Sequence, residues 1–108
     1  MTAEELIERY SGGEWQFSRI DLSGVTLRGV QLRGVDLSEA DLSGVDLSGA
    51  DLSGADLSRA DLSGAVLDEV NLSAATLRDV QGSFSYDGAF LCKTVTPDGE
   101  YIEDPTWV

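Results

Sequence analysis

The chain has 108 residues, 20 acidic and 7 basic, with a formal charge of −13. That length suits one small domain. The negative field disfavours nucleic acid and anionic membrane, whose phosphates need Lys and Arg, and it attracts basic partners.

The chain opens with "TAEELIERYSGG". Thr2 and Glu5 have the spacing of a capping box, and Leu6, Ile7 and Tyr10 fall on one helical face. The following "SGG" stops the helix. This predicts a short α-helix over about residues 3–10, inside an N-terminal cap of residues 1–14. Its apolar face is expected to cover the first repeat, where the bulky Trp15, Phe17 and Ile20 fill a wide opening layer. The opening residues contain no apolar signal-peptide core, and no run is long enough to span a bilayer. The expected compartment is the cytoplasm.

From 15 to 80 the sequence repeats every five residues, as in "DLSGVDLSGADLSGADLSRADLSGA". Leucine occupies 22, 27, 32 and every fifth position to 77, and a second apolar residue precedes each by two. A helix cannot use this period, because successive leucines would spiral by about 140°. A straight strand cannot either, since an odd period alternates faces. A chain that turns a corner every five residues places both apolar positions inside.

The position two after each leucine makes the corner. Glycine fills it at 24, 29, 34, 44, 49, 54 and 64. The exceptions at Arg19, Glu39, Arg59 and Asp79 are spaced by 20, which predicts a four-sided coil. Three columns of corners suit a type II turn, which needs positive φ. The fourth never carries glycine and is expected to use another turn type. Its residues alternate in sign, so an exposed charge ladder Arg19–Glu39–Arg59–Asp79 is expected along one edge.

These A(D/N)LXX units, such as "ADLSG", resemble the pentapeptide-repeat family. The resemblance covers residues 15–80, as fourteen consecutive units. It implies an all-β solenoid, a right-handed quadrilateral β-helix, here of about three coils of 20 residues. The handedness follows from the resemblance, not from the spacing.

At Gly82 the register breaks, and residues 81–108 are expected to form a loop followed by a cap. Pro97, Asp98 and Gly99 make a turn between two β-prone runs, Lys93–Thr96 and Glu100–Ile102, predicting a hairpin-like cap. The stretch Leu91-Cys92-Lys93-Thr94 with Pro97-Asp98-Gly99 resembles the ending "FCNTTMPDG" common in cyanobacterial members of the family, which implies a cyanobacterial or related bacterial origin. Cys92 is the sole cysteine, so no internal disulfide forms; it is expected to pack in the last partial coil.

Catalytic, metal and cofactor residues are not expected. The chain has no histidine, which removes a Ser-His-Asp constellation, and one cysteine cannot build a zinc site. Calcium binding is disfavoured too, since the acidic spacing matches neither an EF-hand nor a nonapeptide repeat. The candidate interaction residues are the aspartates that precede leucine: Asp21, Asp36, Asp41, Asp46, Asp51, Asp56 and Asp61. They are expected to point outward, with Asp21, Asp41 and Asp61 stacked on one side and Asp36 and Asp56 on another. Such columns repel by roughly 0.9 kcal/mol per pair at coil spacing in water. The expectation is that stability rises with salt or mild acid.

Two functions fit. One is a monomeric, non-enzymatic structural or protein-interaction module with an unidentified protein partner, of basic character. The other is implied by the resemblance: some family members mimic B-DNA toward type II topoisomerases such as gyrase. The repeat is short for that role, and no dimerisation helix follows it.

Overall fold

A computed structural model describes residues 1–108. Residues twenty apart are joined by parallel β-bridges: Gln16 to Asp36, Asp36 to Asp56, Asp56 to Thr76, and likewise along three further columns. Twenty residues hold four five-residue units, so each coil has four sides. The leucines point inward and are 0–1% exposed from Leu22 to Leu77. The second apolar column is half-buried in the first coil, at Ile20, Val25 and Val30. From Val35 to Ala75 it is at most 2% exposed. Burial becomes complete once a coil has a neighbour on both sides.

Every side ends in a tight turn. Val25 N–H donates to Leu22 O at 3.1 Å, and Gly24 at the third turn position has φ +70°. The fourth column corrects the expectation of a different turn. Arg19, Glu39, Arg59 and Asp79 have φ of +63°, +59°, +62° and +60°. They occupy the same left-handed region as the glycines, and Ala60 N–H closes the Arg59 turn onto Leu57 O at 3.0 Å. Glu69 and Ala74 do the same in other columns. An L-residue can occupy this region at a cost of about 1–2 kcal/mol when the surrounding coil holds it there. The residue type therefore reports what the corner presents to solvent, not the shape of the turn.

Helix α1 spans Ala3–Ser11. Thr2 Oγ1 accepts from Glu5 N–H and a Glu5 carboxylate oxygen accepts from Thr2 N–H, both at 3.2 Å, as the capping box requires. Leu6 is fully buried, and the Tyr10 hydroxyl donates to Arg33 O at 2.7 Å. Ile7 departs from the expected face and is 42% exposed. Trp15 departs likewise and is 52% exposed, so it does not fill the first coil. Phe17 fills it instead, with the Arg9 guanidinium 5.4 Å above its ring centre.

The break at Gly82 is a shortened side rather than a loop. Asp61 bridges Gln81 at the twenty-residue spacing, whereas Val66 bridges Ser85, Asn71 bridges Phe90 and Thr76 bridges Val95 at nineteen. One residue is missing, and the chain completes a fourth coil up to Val95. The short side draws in close: a Cβ on Gly82 would lie 2.7 Å from Ser63 Cα. Phe84 and Tyr86 pack against the core in place of the lost leucine, their rings 5.2 Å apart.

Four two-residue strands then close the far end. β1 is Phe90–Leu91, β2 Thr94–Val95, β3 Tyr101–Ile102 and β4 Thr106–Trp107. β2 and β3 pair antiparallel around the Pro97–Gly99 turn, with Thr94 opposite Ile102. β4 pairs antiparallel with β1, setting Trp107 opposite Phe90. This second pairing was not anticipated, because it joins segments with no local turn between them. Cys92 is half-buried, with its thiol 3.5 Å from Glu103 O.

Two outcomes follow for stability. Arg59→Gly relieves left-handed strain and raises unfolding free energy by about 1 kcal/mol, whereas Gly54→Ala introduces it and costs a similar amount. Chemical denaturation of the two variants measures both; a loss for Arg59→Gly would refute the shared turn. Leu52→Asp places a charge at a fully buried position and abolishes the cooperative transition; an unaltered melt would refute the packed leucine column.

Candidate surface of ordered carboxylates

The bridges fix where each aspartate stands. Asp21, Asp41 and Asp61 follow one another in one column, ending at Gln81. Asp36 and Asp56 share a second, between Gln16 and Thr76. Asp46 lies between Thr26 and Val66, and Asp51 between Gln31 and Asn71. Like charges therefore stack in two of the four columns, while in the other two the vertical neighbours are neutral.

The structure adds a local role that a charge count does not reveal. Each of these aspartates precedes leucine and then serine, so its carboxylate can reach the N–H two positions on, forming an Asx-type turn. Asp41 Oδ1 accepts from Ser43 N–H at 3.0 Å and from the Ser43 hydroxyl at 2.6 Å. The same pair of bonds joins Asp21 to Ser23, Asp36 to Ser38, Asp46 to Ser48, Asp56 to Ser58 and Asp61 to Ser63. Asp51 accepts only the Ser53 N–H, at 3.0 Å. Asn71 shows that an amide serves equally, since its Oδ1 accepts from Ser73 N–H at 3.0 Å. The "D-L-S" spacing carried this signal in the sequence.

Arginines from the first coil reach the two neutralised columns. Arg28 Nη1 lies 3.2 Å from Asp46 and Arg33 Nε 2.6 Å from Asp51. In the charge ladder, Arg19 approaches Glu39 at 3.6 Å. The four corner residues stack, because Arg19, Glu39, Arg59 and Asp79 each donate a backbone N–H to the following coil. Arg19–Glu39 is the one ion pair among them.

At Asp21, Asp46, Asp51 and Asp61 these contacts favour a response to acid opposite to the one expected. The Ser48 hydroxyl and N–H, with Arg28, hold Asp46 below the usual carboxylate range. The Ser23 hydroxyl and N–H lower Asp21, and those of Ser63 lower Asp61. Burial pushes Asp51 up, but Arg33 and Ser53 outweigh it and the net shift is downward. Uncompensated repulsion would have raised all of them. A carboxylate depressed in the folded state stabilises above its unfolded pKa, and that stability is lost as pH falls through the folded value.

The melting temperature should therefore fall, not rise, as pH drops below about 4; a rise across that range would restore repulsion as the dominant effect. Asp41→Ala strands the Ser43 N–H and should cost about 1 kcal/mol, while Asp41→Asn retains the acceptor and costs less. Equal losses in urea denaturation would count against the hydrogen-bonding role.

Comparison with known proteins places this geometry. The family model for pentapeptide repeats matches residues 16–54 and 46–81, in eight copies. HetL, a pentapeptide repeat protein involved in heterocyst differentiation regulation from the cyanobacterium Nostoc sp. strain PCC 7120, is similar with a TM-score of 0.84 and 36% identity. The match covers 87% of this chain and 40% of HetL, so the chain spans less than half of that relative. A second pentapeptide repeat protein of Nostoc PCC 7120, alr5209, is similar with a TM-score of 0.73 and 35% identity, over 95% of this chain and 87% of its own. No curated protein matches the sequence.

Proposed function

The chain belongs to the pentapeptide repeat family, and from that membership we propose that its coils form a right-handed quadrilateral β-helix serving as a non-enzymatic protein-interaction module. One observation carries the reading. The interior is filled by leucine, alanine and valine at 0–2% exposure through the second and third coils, so recognition falls on the outer faces. Serine holds carboxylates in fixed orientation on all four faces, and two of them carry stacked ones. Ordered acceptors lose little freedom on binding, which favours association. A partner with lysine or arginine at matching spacing is the complementary one. HetL is involved in heterocyst differentiation regulation, and a regulatory contact of this kind is the role extended to this chain.

Mimicry of DNA toward a type II topoisomerase draws on the same stacked carboxylates. It is the weaker reading, because four coils at about 4.8 Å match only about five or six base-pair steps at about 3.4 Å. It predicts inhibition of gyrase supercoiling at about tens of micromolar protein.

The direct test compares immobilised wild-type protein with a variant carrying Asn at Asp36, Asp41, Asp56 and Asp61, which keeps the serine contacts and removes charge. Basic proteins from the native host should bind the former and be lost from the latter. Retention that ignores the substitution would overturn the acidic-face reading, and absence of gyrase inhibition would end the mimicry reading.

A further inference from the structure

The carboxylate columns are one part of the surface, and the C-terminal tail builds another beside them. β4 lies along β1, and Gly88 N–H donates to Val108 O at 2.8 Å, while Val108 N–H donates to Ala89 O at 2.9 Å. This pins the last residues against the fourth coil. Trp107 is nevertheless 68% exposed, the most exposed of the large apolar side chains. Its ring lies 4.8 Å from that of Phe90 at an interplanar angle of 52°. An indole whose strand is paired along one edge with β1, and whose ring meets Phe90 at a tilt, keeps its remaining surface presented to solvent.

The floor beside it is mixed, apolar with one carboxylate and one amide at its edge. A shallow depression of about 410 Å³ is lined by Glu69, Val70, Asn71, Gly88, Phe90 and Trp107. Glu69 occupies a left-handed corner at φ +59°, which turns its side chain outward at the edge of this depression. Glu69 N–H donates to Asp87 O at 2.9 Å, stacking it on the fourth coil. Gly88 makes room for it: a Cβ there would lie 3.2 Å from Glu69 Cγ. The four ion pairs of the protein engage Glu14, Glu39, Asp46 and Asp51, so Glu69 has no cationic partner within the chain.

An exposed indole beside an unpaired carboxylate is complementary to one kind of group. A guanidinium stacks on the aromatic face and is bonded at its edge by the carboxylate. Asn71 adds an amide that can accept a further N–H. We infer that Trp107, Phe90, Glu69 and Asn71 form a docking site for an arginine side chain of a basic partner. Phe90 backs the indole, and Glu69 sets the charge preference. The inference rests on the proposed interaction role and adds to it a position and a partner chemistry. The net charge of −13 steers such a partner toward the molecule, and the aromatic site decides where one of its arginines settles.

The test uses the whole chain with Trp15→Phe, so that indole signals report Trp107 alone. The probe is an uncharged-end peptide of alternating glycine and arginine, titrated against the protein labelled with nitrogen-15. Saturable shifts are expected at the Trp107 indole and at the amides of Glu69, Gly88 and Phe90. Trp107→Ala should weaken binding about tenfold, as loss of a cation–π contact does. Glu69→Gln leaves the tail pairing intact and should weaken it severalfold, with a smaller salt dependence. A peptide in which lysine replaces arginine should bind more weakly. Shifts spread along the Asp21–Asp61 and Asp36–Asp56 columns, unaffected by either substitution, would overturn the site and leave the acidic-face reading standing. No binding by either peptide would overturn both. Trp107 shifts that follow protein concentration without peptide would assign the surface to a second copy of the chain and overturn the site.

Discussion

Each leucine N–H in the first two coils and the first two sides of the third donates to a carbonyl nineteen residues ahead, as Leu22 does to Asp41 O and Leu52 to Asn71 O, both at 2.9 Å. The N–H of the residue before each leucine of the next coil answers in the other direction, as Asp41 does to Ile20 O at 2.8 Å. This reciprocal ladder is a constraint on spacing. It fixes how many residues a turn contains and therefore which side chains face inward. A leucine moved by one position would leave the core, since neighbouring side chains point to opposite faces. The corners, the serine–aspartate turns and the stacked charges all inherit their alignment from these bonds.

The ladder also explains why the surface can be so acidic. Asp21, Asp41 and Asp61 are brought into line by backbone geometry, whatever their mutual repulsion. The repulsion is offset locally, because serine hydroxyls and N–H groups bond each carboxylate within its own side. Where the first coil supplies Arg28 and Arg33, the neighbouring coil supplies Asp46 and Asp51 to meet them. The charge is thus structured twice, by short hydrogen bonds along the chain and by ion pairs across coils.

The sequence displays the five-residue period, the twenty-residue superperiod, the capping helix and the Pro97–Gly99 turn, because each follows from local spacing or from a residue type with a stereochemical preference. The left-handed corner at Arg59 was hidden for the opposite reason. Nothing in an arginine announces positive φ, and the coil imposes it. The fourth coil was only partly legible, as the partial coil expected at Cys92, because Gly82 replaces the leucine that marks a side and one residue is lost with it. The pairing of Trp107 with Phe90 joins positions seventeen residues apart, with no pattern to mark it. The serine–aspartate turns were present as a spacing of two but were masked by the more conspicuous charge. The arginine site combines both problems, since it needs the tail pairing and the outward corner at Glu69 together.

The nineteen-residue fourth coil has a consequence for assembly. A stack of identical layers can in principle accept one more identical layer from any neighbouring molecule, as a crystal face accepts the next row. The shortened side at Gln81–Phe84 alters the last layer, so a coil with the ordinary spacing no longer matches it around the full circuit. Strands β3 and β4 then occupy parts of the rim that remains. A single missing residue thus works against continuation of the stack by an ordinary coil.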